Sequence, residues 1–392
     1  MKLRVFASTK PGYTLPTDEA LKMAGIEAGI CYMSDDFDAL LAEPEARTMR
    51  RVRGTIGSGH HSVAGHPSYC LILEGLPKII AMLLNNEQDY NTSEKSARYT
   101  IMNALYSEQP TPDGDEKTIY EKWTVIFDNL IVKKYPEIPA KTRKKLALEN
   151  ARYFISVFTP ATTMGYTADL RQINYLIGFA EQLCETPTVD PFLIKLKPWV
   201  LELAKLLRSV CNVDGLRDNK GRRFSLFGTR VRRELFDESY SMNYVGTFSQ
   251  LAQAHRHRSI YYEMLIPQLD SCEFYVPPII EDEALREEYL KDMESLKDNY
   301  PQGMLIHINE RSIVEKFIGK CDERLCGAAQ REICMQTRDN LERYITGTIL
   351  SGNVDVYMQL VELRGKTKCQ LGYYVCDRPC PLGPAHAFDR LI

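Results

Sequence analysis

Arg256-His257-Arg258, closely preceded by Gln253, is the densest concentration of chemistry in the chain. Arginine is seldom buried without a partner, so a basic triplet within sequence otherwise suited to helix and core asks for an anion. A phosphate or an electron-rich cofactor is the natural candidate, and a solvated basic face is the plainer reading of the same residues. On a continuous helix Arg256 and Arg258 would point roughly 200° apart. Both reach one ligand only near a helix end, or where two ligands or subunits meet. A second constellation is Ser96-Ala97-Arg98-Tyr99. In an extended segment Ser96 and Arg98 share a side, and a hydroxyl with a guanidinium makes a small phosphate pocket; a polar loop with a capping serine is the alternative. The third is Asn309-x-Arg311 with Arg324, just downstream of the strand-like Met304–Ile308. Strand ends are well placed to face a ligand, with surface ion pairs as the alternative. In the fourth, Gly59-His60-His61-Ser62 with His66, no carboxylate or cysteine stands at ligand spacing, which favours a helix start or a cofactor-edge contact over zinc. No metal site is expected. A G-x-S-x-G elbow and the Walker and Rossmann glycine patterns are all absent. Catalysis would therefore rest with a bound cofactor that the protein orients and surrounds with charge.

The elements that must position these residues fall into two halves, 1–207 and 236–392, joined by a polar, basic connector at 208–235 that lacks apolar periodicity. In the first half Tyr69–Leu73 reads as a strand. Ile119, Trp123, Ile126, Phe127 and Leu130 place a helix over 115–135, and the aromatic, β-branched stretch 149–158 reads as a second strand. The second half repeats the order in shorter form. Phe274–Val276 precedes two prolines, a helix carries Leu285, Tyr289, Met293 and Leu296 on one face, and the strand 304–308 follows. The expected fold is α+β: two similar units, each a mostly antiparallel sheet packed with helices, together forming a pseudo-dimer.

Bulk properties set outer limits. The chain has 392 residues, 44% of them hydrophobic and 26% charged, with a formal net charge of -3. That composition is globular, and the charge argues against a general nucleic-acid binder. No apolar run reaches the ~20 residues of a membrane span, and the N-terminus lacks a signal-peptide core, so no membrane partner and a cytoplasmic location are expected. The 11 cysteines, an odd count over a long chain, suit free thiols in a reducing compartment.

Gln253 with Arg256-His257-Arg258, Asn309-x-Arg311, and Arg324-x4-Ala329-Gln330-x-Glu332-Ile333 together resemble the flavin-dependent thymidylate synthases, with their R-H-R-x7-S, N-x-R and R-x4-A-Q-x-E-I patterns. The first half resembles the family too. Residues 59–75 look like its G-H-x-S-x-x-E-H segment and following strand, 93–99 like the serine-to-arginine end of the signature, and Ala151-Arg152 like its later A-R segment. Such a family implies homotetramers with sites shared between subunits. It also implies FAD, with NADPH and methylenetetrahydrofolate as co-substrates, converting dUMP to dTMP without an enzyme nucleophile.

Departures from the pattern are complementary. The first half has Asn86-Glu87-Gln88 at the basic triplet and Gly65 at the usual glutamate, whereas the second has Ile266 at the serine and Gln268 at the nucleotide-loop arginine. The resemblance then implies one composite site drawn from both halves. Ser96, Arg98 and Arg152 would hold the nucleotide, and Gln253, Arg256, His257 and Arg258 would contact flavin and nucleotide. Ser62, Asn309 and Arg311 would hold the flavin, and Arg324 would act on the uracil ring. A tandem chain standing for two subunits implies a homodimer. Methylation of another pyrimidine nucleotide, or a non-catalytic role in binding nucleotide or flavin, are the alternatives.

Overall fold

Ser239–Thr247 reads S-Y-S-M-N-Y-V-G-T, and Tyr240, Met242 and Tyr244 are buried while the residues between them reach the opposite face. This two-residue period makes a half-buried strand. In the computed structural model, which describes residues 1–9, 15–33, 36–87, 90–95, 115–217, 223–228, 230–376 and 380–392, it belongs to one of two sheets with matching topology. The first contains β1 (Lys2–Ser8), β2 (Ser68–Leu76), β3 (Tyr90–Glu94) and β4 (Thr162–Asp169), in the order β1-β2-β4-β3. The second contains β5 (Leu235–Phe236), β6 (Ser239–Thr247), β7 (Tyr261–Leu265) and β8 (Leu305–Ile313), in the order β5-β6-β8-β7. All neighbours pair antiparallel. The expected α+β fold with two similar units is what forms.

The described residues group into two compact units: 1–95 with 160–225, and 115–159 with 226–392. In the first, the helices Lys78–Asn86, Leu170–Glu185 and Pro191–Val210 bury apolar faces that include Ile80, Leu83, Ile173, Ile177, Val200 and Leu203. In the second, Tyr240 and Met242 of β6 pack with Phe317, Cys321, Leu341, Tyr344, Ile345 and Leu360 from the helices Val314–Arg324, Arg331–Ser351 and Val354–Val361. A further cluster there joins the helix Asp115–Lys134 to the helix Glu283–Ser295. Trp123 stacks on Phe154 at 5.5 Å between ring centres and meets the edge of Tyr289 at 4.9 Å. No helix among the described residues is long and apolar enough to cross a membrane.

Three expectations need correction. Residues 149–158 are not a strand: Glu149–Ala151 finish the helix Ala140–Ala151, and Arg152–Phe154 form a single 3-10 turn. Every residue from 151 to 159 is buried, so the aromatic and β-branched composition reflects burial on all sides rather than on one face of a sheet. The strand comes later, as β4. The segment is instead held by backbone bonds, from Gly303 N to Tyr153 O at 2.8 Å, Gln302 N to Ile155 O at 2.9 Å, and Val157 N to Tyr300 O at 3.0 Å. Secondly, the connector is not polar throughout, because Val213, Leu216, Phe224 and Leu226 are buried. Thirdly, Asn309 and Arg311 lie within β8 rather than beyond the strand's end.

Candidate functional site

Strand alternation divides the N-x-R sequence between two faces. On one side of β8, Asn309 pairs across to Asn243 on β6 and to Glu263 on β7, so three polar side chains form a row. Asn309 Nδ2 donates to Asn243 Oδ1 at 2.9 Å and to Ser241 Oγ at 3.0 Å. Arg311 Nη1 donates to Glu263 Oε1 at 2.7 Å, and Arg232 Nε bridges the same carboxylate at 2.9 and 3.0 Å. Burial opposes the charge of Glu263, but the hydrogen bonds and charges of Arg232 and Arg311 outweigh it and hold its carboxyl below the usual range. This face opens into a cavity of about 410 Å³ lined by Asn243, Glu263, His307 and Asn309, with Arg230 and Arg232 over it. On the opposite face, Glu310 is fully buried against Lys320 Nζ at 2.5 Å and accepts from the phenols of Tyr240 and Tyr244 at 2.9 and 3.0 Å.

The basic triplet occupies the turn after the short helix Phe248–Ala254, so it sits at a helix end, one of the two placements the spacing of its arginines left open. Thr247 caps that helix. Its Oγ1 accepts from Gln250 N at 3.0 Å and donates to Glu332 Oε2 at 3.0 Å, and Thr247 N donates to Glu332 Oε1 at 3.1 Å. Tyr153 OH donates to Glu332 Oε2 at 2.8 Å and accepts from Gln330 Nε2 at 2.5 Å. Gln330 Oε1 in turn accepts from both Arg152 Nη2 and Gln253 Nε2. One buried carboxylate therefore anchors the helix carrying Gln253 and, through Tyr153 and Gln330, fixes Arg152 and Gln253 side by side. Burial raises the Glu332 carboxyl, and its hydrogen bonds from Tyr153 and Thr247 pull the other way.

Arg324 ends the helix Val314–Arg324, donating from Nε to His257 Nε2 at 2.9 Å and from Nη2 to Gln253 O at 3.0 Å. Burial, then the positive charges of Arg324 and Lys320, depress His257 to about 2. The ring is therefore neutral and accepts at Nε2, which leaves Nδ1 to carry the proton. Arg256 and Arg258 are exposed on either side.

Among the sequence candidates, the second unit thus brings together Arg152, Gln253, His257 and Arg324, flanked by Arg256 and Arg258, and joins Asn309 to Arg311. Ser62 lies exposed in the turn His61–Gly65 of the first unit. Ser96 and Arg98 lie outside the described residues. Reasoning from sequence did not single out Tyr153, Glu263, Arg232, Glu310 or Lys320. Gln330 and Glu332 stand in the sequence as part of a motif, and a Gln and a Glu two apart before an apolar helix are signal enough to single them out. The first half's counterpart of the triplet has become structural. Glu87 accepts from Ser225 N at 2.8 Å and Oγ at 3.0 Å, Asn86 Nδ2 donates to the same hydroxyl at 2.9 Å, and burial pushes the Glu87 carboxyl up to about 7. Gln88 lies outside the described residues. No group of three or more His, Cys, Asp or Glu among the described residues is disposed to hold a metal ion.

Residues 15–185 match a family model described as thymidylate synthase complementing protein; this stretch holds Ser62 and Arg152, and the site residues from Gln253 onward lie beyond it. A flavin-dependent thymidylate synthase of Pyrococcus abyssi is 24% identical over 134 residues, 33% of this chain and 52% of the relative, so the chain spans about half the length of the curated relative it matches. A crystal structure of thymidylate synthase X from Helicobacter pylori with FAD and dUMP aligns at a TM-score of 0.32 and 15% identity, over 54% of this chain and 94% of its own. A second structure from that organism, also complexed with FAD and dUMP, aligns at 0.29 and 14%, over 54% and 100%.

Proposed function

We propose that this chain belongs with the flavin-dependent thymidylate synthases that it resembles over residues 15–185, and that it methylates dUMP to dTMP, with FAD bound and with methylenetetrahydrofolate and NADPH as co-substrates. The observation that carries this reading is Gln253. Its Oε1 is buried and accepts no hydrogen bond among the described residues, and the backbone carbonyl of the same residue accepts from the Arg324 guanidinium. A uracil ring presents one N–H donor between two carbonyl acceptors. An orphaned amide oxygen, on a residue whose backbone a fixed cation binds, can meet that N–H, and an unmet buried acceptor costs about 1–3 kcal/mol until a donor arrives.

The residues also suit the cofactor. The polar row Asn243-Asn309-Glu263 borders the 410 Å³ cavity, and Asn309, Arg311, His257 and Arg258 would hold the flavin. When bound, FAD supplies the redox chemistry of the reduction. The chain's own residues position the nucleotide and its charge. Ser96, Arg98, Arg152 and Arg256 hold the phosphate, Gln253 reads the ring edge, and Arg324 stabilises charge that develops on a ring oxygen as C5 reacts. His257, neutral and accepting from Arg324, keeps that guanidinium in one orientation. The working form is a homodimer in the cytoplasm. Incubating the purified chain with FAD, NADPH, methylenetetrahydrofolate and either dUMP or UMP tests the reading. dTMP forming from dUMP supports it; methylation of UMP alone would move the substrate, and no product with flavin bound would remove the catalytic claim.

A further inference from the structure

The loop from Leu325 to Gln330, which carries the connection between Arg324 and Gln330, is gripped by the far C-terminal segment. Arg390, itself buried, donates from Nη1 to Gly327 O at 2.5 Å and from Nη2 to Ala329 O at 2.7 Å. Arg331 Nε returns a bond to Arg390 O at 2.6 Å. Lys368 N reaches Leu325 O at 3.0 Å. Three cysteines gather on this contact: Cys326 in the loop, Cys369 beside Lys368, and Cys380 in the tail. Cys380 packs against the loop backbone so closely that a Cβ on Gly327 would stand 2.7 Å from its sulfur and 3.1 Å from its own Cβ. Only a glycine admits a thiol there. Cys326, the adjacent residue, accepts at its sulfur from Ala328 N at 3.4 Å. The Cys369 thiol is instead engaged by Thr367 Oγ1 at 3.3 Å. Burial, then the neighbouring sulfurs, push the Cys380 thiol up, so it stays protonated.

We propose that Cys326 and Cys380 form a redox-sensitive pair whose oxidation fastens the C-terminal tail to the loop between Arg324 and Gln330. The oxidant is a hydroperoxide. The Cys326 sulfur attacks its O–O bond, and the thiol proton passes to the departing oxygen, giving a sulfenic acid and, from hydrogen peroxide, water. The Cys380 sulfur then displaces hydroxide from that sulfur, which leaves as a second water with the thiol proton. Two S–H bonds are exchanged for one S–S bond, and the peroxide takes up the two electrons. In a reducing compartment the pair rests as thiols until peroxide arrives.

The test uses the full chain, treated with hydrogen peroxide, alkylated, digested and mapped by mass, with hydrogen exchange at residues 325–330 followed in parallel. The proposal expects a peptide pair joining Cys326 to Cys380, loss of alkylation at both, and slower exchange in the loop that dithiothreitol reverses. Cys380→Ser should retain its fold by circular dichroism, keep Cys326 alkylatable, and show no change in loop exchange on oxidation. Should Cys380→Ser fail to fold, Cys326→Ser serves in its place. Alkylation of both thiols after peroxide, a link from Cys326 to Cys369 or Cys334, or a Cys326–Cys380 link without slower exchange would each overturn it.

Discussion

At the scale of single residues, Arg324 and His257 act as one device. The guanidinium has its direction fixed by a neutral imidazole, and that neutrality is enforced by burial and by two cations. Replacing Arg324 with alanine should cost about 3–4 kcal/mol of transition-state stabilisation, a loss of roughly 10²–10³ in kcat with nucleotide affinity little changed. Turnover at the wild-type rate would remove the role. The pH dependence follows from the direction of the His257 shift. Unfolded, the ring takes up a proton near 6.5, whereas folded it resists to about 2. The stability it contributes is therefore present above about 6.5 and declines as pH falls below that value. His257→Gln, which can still accept from Arg324, should flatten the acid limb of a plot of Tm against pH; an unchanged slope would contradict the assignment. Tyr153→Phe leaves both Gln330 Nε2 and Glu332 short of a partner, so it should destabilise the fold by about 1–3 kcal/mol. It should also lower nucleotide affinity through the freed Arg152, and full affinity would show that Tyr153 only packs.

At the scale of elements, alternation along β8 is the organising fact. Asn309 faces the cavity, with Arg311 on the same side of the strand, because Glu310 between them faces the helices. Lys320→Met would strand that carboxylate in the core at a cost of about 3–5 kcal/mol, and adding Glu310→Gln should recover much of the loss, since the buried charge rather than the pair is what hurts. Thermal melts of the single and double variants decide this. Much here was legible beforehand: the basic triplet at a helix end, the N-x-R pair, and the helices over 115–135 and 285–296 all follow from spacing. The strand expected at 149–158 shows where that reasoning fails. Residues buried on every side have the composition of a strand without its period, so composition alone misassigned them. The relay through Tyr153, Gln330 and Glu332 was illegible for another reason. Its members lie about 180 residues apart, and only the folded chain makes neighbours of them.

At the scale of the whole molecule, residues 115–159 belong with 226–392 in one compact unit. The site in that unit accordingly takes Arg152 and Tyr153 from one half and everything else from the other. A fragment of residues 226–392 would lack Trp123 and Phe154 from its aromatic cluster and the partner of Gly303 and Gln302. It should therefore show no cooperative thermal transition. A sharp melt from that fragment would mean that the second half folds unaided.

The lent segment also bears on descent. Where one stretch of a chain completes a unit built mostly from another, neither can be deleted without ruining what remains, and the two are bound to change together. The arrangement also frees each position from mirrored change. In a symmetric assembly of identical chains, every mutation strikes all sites together, whereas here Asn86 and Glu87, at the end of the helix Lys78–Asn86 of one unit, clamp Ser225, and Arg256 and His257, after the matching helix of the other, do not.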